Sequence, residues 1–123
     1  MDECPRISIV DDDPSVRRAL CRLCRSAGYA AESFVSAEAF LEAAIAEETD
    51  CLILDVQLPG QSGLQLQDRL RTTGTCCPIV FVTAYHDNDR LRRQALQSGA
   101  VAFLRKPLDT EQLLDVIRQA LDE

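Results

Sequence analysis

Two stretches of this chain, Cys51–Leu54 and Pro78–Val82, are apolar at every position. A strand with one wet face would alternate polar and apolar residues, so these runs read as strands buried on both faces. Such strands belong to a parallel sheet with helices on either side, and each parallel connection needs a crossover of a dozen or more residues. The rest of the chain fits that demand. Arg6–Val10 (RISIV) reads as a first strand and Ala30–Phe34 as a second, weaker one. Val101–Leu104 reads as the fifth.

Helical patterns fill the gaps. Asp13 is a good N-cap and Pro14 suits the first helical position, and the helix is expected to run to about Ala27. Val16, Ala19, Leu20, Leu23 and Ala27 would face the sheet, leaving Arg17, Arg18, Arg22 and Arg25 solvated. Ser36 caps a second helix with Ala37, Phe40, Leu41 and Ala44 as its stripe. Gly63 opens a third, through Leu66 and Leu70 to about Gly74. A fourth is expected over about Asp87–Ser98, with Leu91 and Ala95 inward. Asp109, with Gln112 three residues on, resembles a capped start of the fifth, whose apolar face is Leu113, Val116, Ile117, Ala120 and Leu121. Five strands alternating with five helices, with right-handed crossovers, make one α/β domain over residues 1–123.

The length of 123 residues suits a single core, and the net charge of −7 argues against direct nucleic-acid binding, which needs a basic face. The N-terminus MDECPRISIV has no apolar h-region, and no apolar run approaches membrane-spanning length, so a cytoplasmic domain without membrane contact is expected. Six cysteines without a secretory signal read as reduced thiols. Cys21-x-x-Cys24 would be half a zinc site with no second half, and these thiols are read as small core hydrophobes. Cys76-Cys77, just before Pro78, fall in a loop or at a strand start.

Ligands of open parallel α/β sheets bind outside the carboxyl ends of the strands. Strand one ends in Asp11 and Asp12, strand three in Asp55, strand four in Thr83, and strand five leads to Lys106. Strand two contributes only Val35-Ser36 and is placed at an edge. Three carboxylates crowded at one edge repel one another, and a hard divalent cation with oxygen ligands relieves that. A carboxylate on the central strand, beside a metal, a lysine and a hydroxyl, is equipped to attack a phosphorus centre. Asp55 is the natural nucleophile. Asp13 is read as a helix cap rather than a third ligand, and His86 as a solvated loop residue rather than a phosphorelay histidine.

IVDDDPSVR, LILDVQLPGQSG, VFVTAY and FLRKP, in this order and spread over the whole chain, resemble the motifs of bacterial two-component response-regulator receiver domains. The resemblance implies a flavodoxin-like (βα)5 sandwich with strand order 2-1-3-4-5. It implies phosphorylation of Asp55 by a sensor histidine kinase, with Mg²⁺ (Mn²⁺ as a substitute) held by Asp11, Asp12, Asp55 and the backbone carbonyl of Gln57. Lys106 would pair with the phosphoryl group, and its bond to Pro107 would be cis. Thr83 and the Ala84 N–H would bond its oxygens, and Phe103 would turn inward with Thr83, reshaping the face of helix four, strand five and helix five. Gln57 and Tyr85 would flank the route of attacking water, with bulky Tyr85 slowing hydrolysis. Such a chain is a switch that catalyses its own phosphorylation and hydrolysis, not a metabolic enzyme.

GAVAF (Gly99–Phe103) and SAEAFLEA resemble receivers attached to helix-turn-helix outputs, so a transcription regulator's N-terminal half is expected, with phosphorylation-dependent homodimerisation through helix four and strand five. Arg90, Arg92 and Arg93 read as a solvated face, with partner contact after activation as the alternative. Three other readings are weaker. An unphosphorylated interaction module would not need the complete acidic set with Thr83 and Lys106. A phosphatase would want a second carboxylate where Gln57 stands. A flavodoxin would want a phosphate cradle where Asp11-Asp12-Asp13 stand.

Overall fold

In the computed structural model, which describes residues 4–75, 77–84 and 89–122, the strand Cys51–Asp55 (β3) is buried along its whole length. So is Ile79–Thr83 (β4). Around them lie Arg6–Val10 (β1), Ala30–Phe34 (β2) and Ala102–Arg105 (β5), giving a five-stranded sheet in the order β2-β1-β3-β4-β5. All pairs are parallel, with Ile9 opposite Ile53 and Val82 opposite Leu104.

Alternate residues of each strand feed two separate cores. Ile7, Ile9, Cys51, Ile53, Val80 and Val82 pack against the helices Pro14–Ser26 (α1) and Thr110–Leu121 (α5). Val10, Leu52, Leu54 and Phe81 pack on the other side, against Ala37–Glu42 (α2), Gly63–Thr72 (α3) and Asp89–Gln97 (α4). This is the two-sided burial that the apolar runs demand.

Several details differ from expectation. In α1 the buried residues are Leu20, Cys21 and Cys24, while Ala19 and Ala27 are exposed. The two thiols are core hydrophobes as expected, and being larger than alanine methyl groups they fill the space that Ala19 and Ala27 leave. Helix α2 stops at Glu42 because Ala44 takes a left-handed φ of 54°, and Ala44 is exposed rather than in the stripe. A short 3-10 turn, Ala46–Glu48, follows. Strand β5 begins and ends one residue later than expected. The capping box belongs to α3, where Ser62 and Gln65 bond each other's backbone; at α5 the Asp109 carboxylate alone accepts from Glu111 and Gln112. Helix α4 is described from Asp89, so its expected start at Asp87 lies outside the described residues, as do Cys76, Tyr85 and His86. None of the five described cysteines is in a disulfide. Burial pushes Cys24 up to about 11 and Cys51 to about 12, so both are inert core groups.

Candidate functional site: an acidic cluster at the carboxyl edge of the sheet

Asp11 directly follows strand β1, β3 ends in Asp55 and β4 in Thr83, and the loop after β5 carries Lys106. Parallel pairing brings all four to one edge, where ligand oxygens of Asp11, Asp12 and Asp55 lie within 4.8 Å of one another. Asp11 and Asp55 are buried, and Asp12 is exposed. Lys106 Nζ stands between the two buried carboxylates, 2.8 Å from Asp11 Oδ2 and 3.1 Å from Asp55 Oδ2. The other oxygen of Asp55 accepts the backbone N–H of Gln57 at 2.9 Å. Asp11 Oδ1 accepts the backbone N–H of Asp13.

One ammonium cannot neutralise three carboxylates. Burial raises the Asp55 carboxyl above its ordinary value and the Asp11 charge adds to this, against the hydrogen bonds from Gln57 and Lys106. For Lys106, burial works against its charge, but the hydrogen bonds to Asp11 and Asp55 prevail and hold its value above the ordinary one. The cluster is therefore short of positive charge, and its donors are all hard oxygens. A small divalent cation such as Mg²⁺ fits that donor set; among the described residues the acidic group includes no thiol.

The backbone around Asp55 is tightly fixed. Val56 N–H bonds Val82 and Gly63 N–H bonds Val56, so the loop after β3 closes on itself. A Cβ on Gly63 would lie 2.3 Å from the Asp55 carbonyl oxygen, so only glycine lets α3 start this close to the strand. The Lys106–Pro107 bond is cis, as expected, and Lys106 N–H bonds the Thr83 carbonyl.

The remaining expected residues are placed as follows. Thr83 is buried beside the cluster. Gln57 is exposed and touches Asp55 through its backbone. Phe103 is half-buried and its ring lies 6.1 Å from that of Phe81, on the α3–α4 side. Asp13 caps α1 by accepting Ser15 N–H and is not part of the acidic group. Tyr85 and His86 lie outside the described residues.

Three backbone contacts by side chains are not apparent from the motifs. Arg17, expected to be solvated, donates to the Asp11 carbonyl at 2.8 Å and braces the β1–α1 loop. Arg25 likewise bonds the Ala31 carbonyl. Glu38 on α2 accepts the Gln61 N–H at 2.9 Å. Arg17 and Glu38 bond backbone atoms six and 23 residues away along the chain, which no spacing rule exposes.

The family model of the response regulator receiver domain matches residues 7–118. The chain belongs to this family. Receiver domains are the signal-accepting parts of two-component systems and interact with sensor kinases. The response regulator protein TodT of Pseudomonas putida is 42% identical over 120 residues, covering 98% of this chain and 52% of TodT. Nodulation protein W of Bradyrhizobium diazoefficiens is 40% identical over 116 residues, 94% of this chain and 51% of that protein. The chain thus spans about half the length of these curated relatives. Among solved structures, the response regulator StyR superposes with a TM-score of 0.89 at 43% identity, covering 98% of this chain and 60% of StyR. The receiver protein from Burkholderia phymatum gives 0.82 at 42% identity, covering 96% and 95%. The 2-1-3-4-5 flavodoxin-like fold read from the sequence is the fold of these neighbours. No helix among the described residues is long and apolar enough to cross a membrane.

Proposed function

We propose that this receiver accepts a phosphoryl group on Asp55 from a sensor histidine kinase, in a Mg²⁺-dependent step, and passes the signal to a transcriptional output. The observation that carries the proposal is the charge imbalance at the sheet edge: three carboxylates within 4.8 Å served by one lysine. Asp11, Asp12, Asp55 and the Gln57 carbonyl would hold the ion, with Mn²⁺ as a substitute. Bound there, Mg²⁺ supplies charge compensation for the transferring phosphoryl oxygens.

A carboxylate oxygen of Asp55 forms the new O–P bond while the bond from phosphorus to the donor breaks, and the donor leaves with its electron pair. Lys106 already contacts Asp55 Oδ2 and exchanges carboxylate contacts for phosphoryl oxygens as charge builds there. Water attacking the same phosphorus breaks its bond to Asp55, whose carboxylate leaves with the electron pair, and inorganic phosphate is released. The domain is a self-phosphorylating and self-dephosphorylating switch rather than a metabolic enzyme.

A phosphorylated Asp55 adds about −1.5 to −2 charges and three strong acceptors. Thr83 Oγ and the Ala84 N–H are the donors on the neighbouring strand end, and their inward movement frees space for Phe103. The α4–β5–α5 face then changes, and homodimerisation through α4 and β5 follows. The names of relatives such as the transcriptional regulatory protein FixJ of Azorhizobium caulinodans, 35% identical over 121 residues, support an output in gene regulation. A cytoplasmic location follows from that role.

Intact mass after incubation with acetyl phosphate tests the reading. One phosphoryl group should be gained with Mg²⁺, none in EDTA and none in Asp55→Asn. Failure of the parent protein to gain phosphate from acetyl phosphate or from any kinase would leave an unphosphorylated interaction module as the better account.

A further inference from the structure

The loop that follows Asp55, closed at its base by the Gly63–Val56 bond, is held by two carboxylates. At its start, Gln57 N–H donates to Asp55 Oδ1 at 2.9 Å. Four residues later, Gln61 N–H donates to Glu38 Oε2, also at 2.9 Å. Among the described residues, no other side chain outside the loop and its own helix bonds to this backbone. Glu38 stands on a firm base. It lies in the first turn of α2, where Ser36 caps the helix and Ala37 and Phe40 on either side of it are fully buried. The Phe40 ring also packs edge-on against Phe34 at 5.4 Å.

The loop is shaped to meet this carboxylate. Gly60 has a φ of +75°, and a Cβ there would come within 2.9 Å of Glu38 Oε2. The absent side chain at Gly60 therefore lets the backbone close on Glu38, and the left-handed turn aims the next N–H at it. The Gln61 N–H, then Glu38's own backbone N–H, hold the Glu38 carboxyl below its ordinary value, with Arg69 also contributing.

We propose that Glu38 is a positioning residue for the phosphoacceptor site: by anchoring Gln61 it fixes the loop 57–61 and, through Gln57, the orientation of Asp55. For the metal half of this role, the inference rests on the reading of Gln57 and Asp55 as Mg²⁺ ligands given above. Without Glu38 the loop keeps its closure at Gly63–Val56 and the Gln57–Asp55 bond but loses its hold at Gln61, which loosens the stretch that carries Gln57, and metal sites lose affinity when their supporting shell is removed.

The test uses Glu38→Ala and Glu38→Gln; the glutamine keeps an acceptor oxygen at the same reach. Amide hydrogen exchange is measured by NMR on metal-free protein, followed by Mg²⁺ titration. In Glu38→Ala, exchange should quicken at Gln57 as well as at Gln61, Mg²⁺ affinity should fall about tenfold, the low end for a group that supports metal ligands, and Glu38→Gln should recover most of both. Thermal unfolding distinguishes a general loss of stability, which would quicken exchange throughout the sheet. Quickening at Gln61 with Gln57 unchanged would overturn the proposal, as would unchanged Mg²⁺ affinity in a parent that binds the ion. A parent that binds no Mg²⁺ would instead remove the proposed function, and the Gln57 exchange rate would still decide whether Glu38 positions the loop.

Discussion

Replacing Asp55 with asparagine should make the metal-free protein more stable, although it removes one partner of an ion pair. The ionised carboxylate gains an attraction from Lys106 Nζ at 3.1 Å and suffers repulsion from Asp11 and Asp12 oxygens no farther than 4.8 Å away. At an effective dielectric of about 20, the attraction is about 5 kcal/mol and each full repulsion at least about 3.5 kcal/mol. Asp12 is exposed and its share is reduced by solvent. Burial of Asp55 then tips the balance against ionisation, as its raised value indicates. Asparagine is nearly isosteric, can keep the Gln57 hydrogen bond, and leaves Lys106 paired with Asp11 at 2.8 Å. The net gain is about 1–2 kcal/mol, or about 4–8 °C in Tm for a domain of this size.

The sign of the pH dependence follows. The folded value of Asp55 lies above the ordinary 3.8, so the ionised group subtracts stability at neutral pH. That subtraction fades as the pH falls through the raised value and is gone below the ordinary one. Urea denaturation in EDTA across this range reads both the gap and its closure. Saturating Mg²⁺ should reverse the order, because the parent gains about 2.7 kcal/mol at a hundredfold excess over Kd. An asparagine variant less stable than the parent at neutral pH in EDTA would refute the charge-imbalance reasoning. So would a gap that stays constant on acidification.

Lys106→Met should have the opposite effect, destabilising the metal-free protein by about 2–3 kcal/mol at neutral pH because buried carboxylates lose their counter-ion; denaturation at lower pH should recover much of it. Asp13→Ala should cost about 1 kcal/mol as a lost helix cap and leave Mg²⁺ affinity within twofold in a titration, whereas a ligand role would weaken binding strongly. Gly63→Ala should cost about 3 kcal/mol or fail to fold, since its Cβ would sit 2.3 Å from the Asp55 carbonyl oxygen; circular dichroism during urea titration reads this. Gln67→Ala removes a buried 3.0 Å hydrogen bond to the Ala95 carbonyl and should cost about 1–2 kcal/mol. Its amide exchange should quicken in α4 first, because Ala95 is the one buried residue of that helix among those described.

The sheet was legible because two of its strands, β3 and β4, are buried on both faces and carry no polar residue before the one that ends each. A run such as Cys51-Leu52-Ile53-Leu54 leaves little choice of architecture, and the residue that ends it is necessarily at the ligand edge. Asp11, Asp12, Asp55, Thr83 and Lys106 could therefore be gathered from strand ends alone. Helix faces were less legible where alanine and cysteine compete. Periodicity in α1 is satisfied nearly as well by Ala19 and Ala27 as by Cys21 and Cys24, and side-chain volume decided. The end of α2 turned on one left-handed residue, Ala44, which nothing in its type announces. Arg17 and Glu38 were invisible for another reason. Both bond main-chain atoms of loops, and such partners have no side-chain signature in sequence.

The central claim, that Asp55 carries the phosphoryl group, is tested most directly by chemical trapping. After incubation with acetyl phosphate and Mg²⁺, borohydride reduces an acyl phosphate to an alcohol and leaves a free carboxylate untouched. Peptide mapping should then find homoserine at position 55 and nowhere else, with none formed in EDTA. Reduction at Asp11, Asp12 or Asp13, or a phosphoryl group that survives borohydride as a stable ester on a hydroxyl such as Thr83, would contradict the account.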